Sequence, residues 1–507
     1  MTTLVSTTDT VTRDALAVLQ PGFTGTTAPD WLLRRVGEGL ASVGLFGRNI
    51  HSPEQLAALT ARLRAERDDV LVAIDEEGGD VTRLEVQNGS SFPGNLALGS
   101  VDDVELTRAV ARELGRRLAE CGVNLNWAPS ADVNSNPGNP VIGVRSFGAA
   151  PDLVARHTAA YVEGLQASGV AACTKHFPGH GDTAVDSHLA LPGIDVDLDT
   201  LHARELVPFR AAIAAGSKSV MSAHILLPAL DPDRPATLSP QILTGLLRQE
   251  LGYEGLIVTD GMEMDAIAGT YGIERGSVLA IAAGADAICV GGGLADEDTV
   301  LLLRDALVAA VRSGELPEER LADAAARVRS LASWTQGARG AVSEPGAAAQ
   351  EGTAPGTGVS SDIGLAAARR ALRVTGTAAP QTEPVYVAAF APVANIAVGA
   401  ETPWGVTGEL VRRLPGTGTG TYAGADVDAV LREAGERRVV AVVRDEHRHP
   451  WMAEALDGLL AARPDTVVVE MGLPEAPARG ALHVATYGAA RVCGVAAAEA
   501  ITGARTA

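Results

Sequence analysis

One loop of this chain gathers many side chains that bind or transfer protons. Residues 175–182 read KHFPGHGD and 186–188 read DSH, so three histidines, one lysine and two aspartates fall within fourteen residues. The apolar residues 170–174 just before the loop predict a short strand. Enzymes built from alternating strands and helices present catalytic groups on loops of this kind. The loop therefore indicates an enzyme.

Asp186 and His188 are two residues apart, and in an extended loop their side chains point to the same side. A carboxylate beside an imidazole fixes the tautomer of the ring and raises the pKa of the histidine toward neutrality. The pair is thus suited to general acid/base catalysis. A simple turn is the alternative interpretation of the same two residues.

Five predicted strands end in ionisable side chains, while their interiors are apolar. In a parallel barrel the carboxyl ends of the strands meet at one face, where active sites lie. A chance distribution would scatter these charges over the helices, so their convergence predicts a catalytic pocket. The residues at these ends are Asp75, Asp132, Lys175 with His176, His224 and Asp260.

Asp260 ends an apolar strand and precedes Gly261, so no bulky neighbour blocks its carboxylate. A lone carboxylate in such a place suits a covalent nucleophile or the stabiliser of a cation. An ion pair at the strand end is the alternative.

The other candidates are binding residues. Asp75 offers an acceptor for sugar-type diols, and His176 and His224 are either ligand donors or hydrogen-bonded core histidines. The side chains that supply donors for hydroxyl or carbonyl oxygens are Arg83, Arg145, Lys175 and His176.

A metal site built from His176, His180, Asp186 and His188 is a further alternative. No His-x-x-x-His spacing on a helix and no cysteine pair supports it. The glycines of 177–181 do not form a phosphate-binding motif after a strand.

The elements that must position these residues alternate between strands and helices. Eight apolar runs between residues 15 and 293 are separated in many places by amphipathic runs, which predicts parallel βαβ units and a (β/α)8 TIM-like barrel. The predicted strands are 15–19, 39–46, 70–74, 123–127, 170–174, 219–223, 255–259 and 285–290. The predicted helices are 53–67, 104–120, 152–167, 201–215, 240–251, 297–313 and 318–334.

We expect residues 1–335 to form the catalytic barrel. Residues 336–361 are rich in Gly, Ala, Pro, Ser and Thr and predict a linker. Residues 362–507 predict a smaller α/β sandwich domain with a mostly parallel sheet, in which the charged stretch 444–449 is interpreted as a surface loop. The strands expected there are 385–390, 439–443, 466–470 and 483–486, and the helices are 426–434 and 451–462.

Charge, cysteine content and the N-terminal sequence give further expectations about partners, thiols and location. A formal charge of −21 argues against nucleic acid and anionic membranes as partners. The four cysteines are far apart, so buried free thiols are expected. No secretory signal is visible at the N-terminus, which predicts a cytoplasmic protein.

Taken together, these motifs resemble glycoside hydrolase family 3, in particular its β-N-acetylglucosaminidase branch. The resemblance is dense over residues 15–335 and looser in the second domain. The matching stretches are IDEEGG at 74–79, NWAP at 126–129, NPVIG at 139–143, RSFG at 145–148, KHFPGHG at 175–181 with DSH at 186–188, SAH at 222–224, PATLS at 235–239 and LIVTD at 256–260.

The resemblance implies a role for each candidate. Asp260 matches the family's nucleophile, and His188 with Asp186 matches its acid/base dyad. The implied reaction is retaining, passes through a glycosyl-enzyme on Asp260, and needs no metal or organic cofactor. The positions that match the binding of the N-acetylglucosamine ring are Asp75, Arg83, Arg145, Lys175 and His176.

Three residues depart from those commoner in the family, namely Asp80, Gly261 and Glu263. They leave the implied chemistry intact and bear on fine substrate preference.

The resulting hypothesis is an exo-β-N-acetylglucosaminidase acting on muropeptide or chitin-derived sugars. A phosphorylase on the same fold and a β-glucosidase are the enzyme alternatives. A sugar-binding protein without catalysis is a third possibility, which the presence of Asp186, His188 and Asp260 disfavours.

Overall fold

The computed structural model describes residues 9–184, 191–343, 362–392, 398 and 402–503. Its first part is built on short strands, and those that pair in parallel are buried on both faces, as in other parallel sheets enclosed by helices. These strands are β1 Leu19–Pro21, β2 Ser42–Leu45, β3 Leu71–Ile74, β4 Leu125–Asn126, β5 Ala171–Phe177, β6 Ser219–Ser222, β7 Leu226–Leu227, β8 Asp231–Pro235, β9 Leu256–Thr259 and β10 Ile288–Val290.

Eight of these strands form the barrel. The ladder β2-β3-β4-β5-β6-β9 is parallel throughout, and β10 pairs in parallel with β1. Backbone hydrogen bonds of 3.0 and 3.1 Å join Ala287 to Thr259 and Ile257 and so connect β9 to β10. Gln20 on β1 donates to Ser42 on β2 at 2.5 Å, across the remaining seam. The strands β7 and β8 form an antiparallel hairpin between β6 and β9.

Helices cover the outside of the barrel, and several begin at a side chain that caps them. Ser52 Oγ accepts from the Gln55 amide at 3.2 Å, and Asp103 accepts from Leu106 at 3.1 Å. The α-helices are Thr10–Ala17, Asp30–Glu38, Pro53–Glu66, Asn95–Val101, Val104–Glu120, Pro151–Gln166, Leu198–Thr200, Leu206–Ala214, Asp265–Tyr271, Ile273–Ala283, Glu297–Ser313 and Glu318–Ser343. Leu201–Glu205 and Gln241–Glu250 are π-helical, and 3₁₀ turns occur at Gly47–Asn49, Gly143–Arg145 and Ala236–Leu238.

The second part of the chain is a six-stranded sheet in the order β11-β16-β15-β14-β12-β13, parallel except for the β11–β16 pair. Alternate residues of its strands enter two separate apolar clusters, one on each face. The strands are β11 Arg373–Gly376, β12 Tyr386–Phe390, β13 Gly418–Tyr422, β14 Val439–Val443, β15 Val467–Glu470 and β16 Leu482–Ala485. The helices are Asp362–Ala371, Thr407–Arg413, Val427–Ala434, Pro450–Ala462 and Arg491–Thr502, with a 3₁₀ turn at Glu446–Arg448.

The two domains pack directly against each other. Ala367, on the first helix of the second domain, belongs to the apolar core of the barrel. Gly364 on the same helix lies so close to the barrel that an added Cβ would stand 1.9 Å from the Ser91 carbonyl oxygen. The domains therefore meet along a close contact.

The predicted fold class is confirmed, and so are the bounds of the helices Val104–Glu120 and Glu297–Ser313. All four cysteines are buried free thiols, as expected. None of the helices in the described ranges combines the length and apolarity that a membrane crossing requires.

Other expectations were wrong. The predicted strand 15–19 is mostly the last turn of the helix Thr10–Ala17, because five apolar residues do not distinguish a strand from a buried helical turn. The predicted linker 336–361 begins too early, because the helix that starts at Glu318 continues to Ser343. The rest of that linker, 344–361, lies outside the described residues. The strands β11 and β13 were missed because both are edge strands with little apolar content.

Candidate active site

A cavity of about 620 Å³ opens at the carboxyl ends of the barrel strands. The structure thus brings together the strand-end residues that the sequence singled out, apart from His224 and the buried Asp132. The predicted site residues that line the cavity are Asp75, Arg83, Arg145, Lys175, His176 and Asp260.

Glu77 holds two of these cations in place. Its carboxylate accepts from Arg145 Nε and Nη2 at 3.0 and 2.7 Å, and it lies 2.7 Å from Lys175 Nζ. All three side chains are almost completely buried. Burial alone would raise the pKa of Glu77, but Arg145 and Lys175 hold it well below its ordinary value. Sequence reasoning assigned no role to Glu77, although three consecutive acids at a strand end were a visible signal.

Lys175 lies at the end of β5, inside the strand rather than after it. Its Nζ donates to Asp75 Oδ1 at 2.6 Å, and Asp75 Oδ2 lies 3.5 Å from Arg83 Nη2. Burial would lower the pKa of Lys175, but Asp75 and Glu77 raise it above its ordinary value. An ammonium group has three protons, so one remains to donate to a ligand in the cavity.

Asp132 fixes the orientation of the His176 ring. His176 Nδ1 donates to Asp132 Oδ2 at 2.7 Å, and the ring's Nε2 lies 3.4 Å from Arg145 Nη2. Asp132 also accepts from the amide of His180 at 2.7 Å. Burial would raise the pKa of Asp132, but the charge and hydrogen bond of His176 bring it far below its ordinary value. The carboxylate therefore stays ionised and selects the His176 tautomer with its proton on Nδ1.

The described part of the loop after β5 is anchored by buried polar groups. His180 Nδ1 lies 2.8 Å from Thr183 Oγ1, and burial followed by the charge of His176 lowers the pKa of His180 to about 4. Gly181 lies so close to the barrel that a Cβ would stand 1.7 Å from the Val133 carbonyl oxygen. Only glycine fits that approach.

Arg204 and Glu205 lie beneath the same loop. Arg204 Nη2 binds Asp182 Oδ2 at 2.6 Å, and Arg204 Nε binds Glu205 Oε1 at 2.6 Å. Burial raises the pKa of Glu205 to about 7, although Arg204 opposes the rise. Asp186 and His188, the predicted acid/base pair, lie outside the described residues.

Asp260 directly follows β9 and lines the cavity. Its amide donates to the Ser222 carbonyl at 3.2 Å, and its Oδ1 accepts from the Gly261 amide at 2.8 Å. The backbone is thus fixed on both sides of the carboxylate.

His224 is fully buried, and the structure does not bring it to the cavity. Its Nε2 donates to the Gly261 carbonyl at 3.0 Å, and its Nδ1 lies 2.8 Å from Thr237 Oγ1. Both ring nitrogens therefore have protein partners. The ring supports the turn after Asp260, and direct contact with a ligand is not part of this arrangement.

Glu263 lies in the same turn, and sequence reasoning connected it only with fine substrate preference. One carboxylate oxygen, Oε1, accepts from the amides of Gly291 at 2.9 Å, Gly293 at 3.2 Å and Gly292 between them. The carboxylate links the loop after β9 to the loop after β10. A cluster of glycines after a strand was the only sequence signal for such a partner.

Within the described ranges, no group of three or more His, Cys, Asp or Glu side chains is placed to hold a metal ion. Of the four residues in the metal alternative, Asp186 and His188 lie outside those ranges.

The model of the glycosyl hydrolase family 3 N terminal domain matches residues 30–331. Beta-hexosaminidase A of Pseudoalteromonas piscicida is 37% identical over 312 residues, which are 57% of this chain and 52% of that protein. The chain thus spans about half the length of that relative.

This chain matches a larger share of two further relatives. A beta-hexosaminidase of Neisseria gonorrhoeae is 36% identical over 266 residues, which are 51% of this chain and 73% of that protein. A solved glycoside hydrolase family 3 beta-N-acetylglucosaminidase from Paenibacillus sp. is 34% identical with a TM-score of 0.84, covering 98% of this chain and 97% of that one.

We predict that Glu77→Gln destabilises the protein, because a neutral amide leaves buried Arg145 without its paired carboxylate and removes one of the two carboxylates beside Lys175. Breaking a buried pair in this way costs about 3–5 kcal/mol. Thermal and denaturant unfolding of Glu105→Gln provides the control, since Glu105 forms an exposed pair with Arg108. Equal unfolding midpoints for the two variants would contradict the role given to Glu77.

We predict that Glu205→Gln changes the pH dependence of stability. The raised pKa of Glu205 means that its contribution is present below about pH 4.5 and is lost as the pH rises through about 7. The free energy of unfolding of the variant, relative to the natural protein, therefore rises between pH 5 and 8 by on the order of 3 kcal/mol. Urea titrations across that range measure it, and parallel pH curves would contradict the assignment.

Proposed function

The chain belongs to glycosyl hydrolase family 3, a family of glycoside hydrolases, and from this we propose that it is a retaining exo-β-N-acetylglucosaminidase. The observation that carries the proposal is the cavity that Asp260 lines together with Asp75, Arg83 and Lys175. Its volume of about 620 Å³ is in the range of small-ligand sites. The proposed substrates are terminal N-acetyl-β-glucosaminides derived from muropeptides or chitin.

The side chains proposed to bind the sugar are charged and are held in place by other side chains of the protein. Asp75 can accept from two adjacent hydroxyl groups, while Lys175 and Arg83 donate to sugar oxygens. These groups are held by one another and by Glu77, so binding a sugar does not require them to reorganise. The preference for an N-acetyl sugar is supported by the similarity to proteins named beta-hexosaminidase and beta-N-acetylglucosaminidase.

In the first proposed step, an Asp260 oxygen forms a bond to the anomeric carbon while the bond to the leaving oxygen breaks. His188 gives its proton to that oxygen, so the aglycone leaves as an alcohol. In the second step, neutral His188 takes a proton from water, whose oxygen attacks the anomeric carbon and releases Asp260. Two inversions at one carbon give net retention.

His188 receives this role from the sequence motif and from the loop that holds it. The described root of the loop is anchored through Asp182 to Arg204 and through His180 to Asp132. Asp186 would orient the imidazole, as carboxylates do beside catalytic histidines. The cytoplasmic location stays a prediction from the sequence.

We predict that Asp260→Ala lowers kcat for an aryl N-acetyl-β-glucosaminide by on the order of 10³-fold or more, because no glycosyl-enzyme can form. Asp233→Ala, at an exposed aspartate of the β8 strand, is the matched control. Product analysis at millimolar phosphate completes the experiment. Free N-acetylglucosamine is expected, whereas sugar 1-phosphate would indicate the phosphorylase, and equal rates on an aryl glucoside would indicate a β-glucosidase.

We predict that His188→Ala slows substrates with poor leaving groups by about 10²–10⁴-fold. A dinitrophenyl leaving group needs no proton, so its glycosylation step should be affected far less than that of a substrate with an alcohol leaving group. Rates for the two substrates are compared with those of His202→Ala, a half-buried histidine outside the loop. An equal loss for both leaving groups would remove the acid role from His188.

A further inference from the structure

The cavity that contains Asp260 is lined by apolar as well as charged side chains. The charged ones are held by the ion pairs and hydrogen bonds described above. The apolar and sulfur-containing ones include Phe46, Trp127, Met221, Met264 and Cys289. Trp127 is the largest of these side chains and is 3% exposed, so its position decides the shape of the inner end of the cavity.

The indole of Trp127 crosses the interior of the barrel. Trp127 directly follows β4, which pairs with β3, and β3 pairs in turn with β2. A Cβ added to Gly44 on β2 would stand 2.9 Å from Trp127 Cη2, so the ring lies against that strand. Its Nε1 donates to Gln20 Oε1 on β1 at 3.2 Å. The ring thus reaches from β4 past β3 to β1 and forms a floor beneath the cavity.

Gln20 is a buried glutamine that lies inside the barrel and is 1% exposed. Its Nε2 donates to Ser42 Oγ on β2 at 2.5 Å, while its Oε1 accepts from Trp127. The hydrogen bond to Ser42 therefore fixes which end of the amide faces the indole. Burying an amide is costly unless both ends are paired, and an apolar side chain would fill the same space without that cost. What the glutamine adds is the fixed position of the indole.

Phe46 supports the indole from the side. The centroids of the Phe46 and Trp127 rings are 6.1 Å apart, with a tilt of 52° between the planes. The guanidinium carbon of Arg48 lies 4.6 Å from the centroid of Phe46. Arg48 in turn donates to the carbonyls of Phe23 at 3.0 Å and Gly292 at 2.9 Å. The floor is thus held by a hydrogen bond at one end, a strand against one edge and a fixed ring beside it.

We propose that Gln20 is a positioning residue, which holds Trp127 as the floor on which the sugar ring rests. The inference rests on the proposed function, because it takes the ligand of this cavity to be a sugar. A pyranose ring has an apolar C–H face, and aromatic side chains supply the matching surface in small-ligand sites. The hydroxyl groups at the rim of the ring then remain free to bind Asp75 and Lys175.

The first test is Gln20→Met, which keeps the length of the side chain and removes both hydrogen bonds. A floor contact is made alike by the bound substrate and the transition state, so its loss raises KM and leaves kcat nearly unchanged. We expect KM for an aryl N-acetyl-β-glucosaminide to rise about three- to tenfold, with kcat within about twofold. A merely structural role would instead lower kcat through loss of folded protein, with KM unchanged.

Gln166→Met is the matched control. Gln166 is a half-buried glutamine that accepts from the Lys218 amide at 3.0 Å, near the amino end of β6 and away from the cavity. We expect its KM to match that of the natural protein.

A double-mutant cycle shows whether Gln20 acts through the indole. Trp127→Phe keeps an aromatic ring and removes the Nε1 proton, so Gln20→Met should change KM by less than about twofold in that background. An equal rise of KM in both backgrounds would overturn the inference. Gly44→Ala provides an independent variant, because its Cβ forces the indole away from β2 and should also raise KM.

The indole proton can be observed directly by NMR of ¹⁵N-labelled protein, with the Trp127 signal assigned by its loss in Trp127→Phe. We expect this proton to exchange slowly with solvent in the natural protein and at least about tenfold faster in Gln20→Met. Millimolar N-acetylglucosamine should shift the signal. A signal that the sugar does not move, or unchanged KM in folded Gln20→Met, would overturn the inference. Failure of the natural protein to cleave any aryl N-acetyl-β-glucosaminide would instead overturn the proposed function, and the NMR titration would then decide the inference alone.

Discussion

The site depends on one buried carboxylate that neutralises two buried cations. Glu77 lies between Arg145 and Lys175, and all three side chains are nearly excluded from solvent. An unpaired charge at this depth would cost several kcal/mol, so the three groups are stable only together. Lys175 also binds Asp75 at the cavity, where the proposed sugar binds, and Asp75 in turn lies beside Arg83.

Asp132 is a second buried carboxylate, and it orders the neighbouring imidazole of His176. It stays ionised, fixes the tautomer of His176 and holds the amide of His180 at the root of the proposed acid/base loop. Glu263 does the equivalent for the turn after the proposed nucleophile Asp260. Buried or partly buried carboxylates thus order three strand ends before a substrate arrives, which is the arrangement that electrostatic catalysis requires.

Much of this architecture could be predicted because parallel strands end at one face, and the residues there are visible in the chain. The roles of Glu77 and His224 could not be predicted. The alternation of side chains along a strand does not show which of three consecutive acids is buried, or whether a histidine faces the cavity or the backbone of a neighbouring turn. The interdomain position of Arg444 was also missed. Its partner Asp80 is hundreds of residues away in sequence, and only the docking of the two domains brings them together.

The central claim is that Asp260 forms a covalent glycosyl-enzyme in a site whose charges are set in advance. The most direct measurement is mass spectrometry of the protein after reaction with a 5-fluoro N-acetyl-β-glucosaminyl fluoride, which slows breakdown of such an intermediate. We expect one sugar residue per chain, attached to the peptide that contains Asp260. Turnover without any adduct, or an adduct on Asp75 or Glu263, would contradict the account.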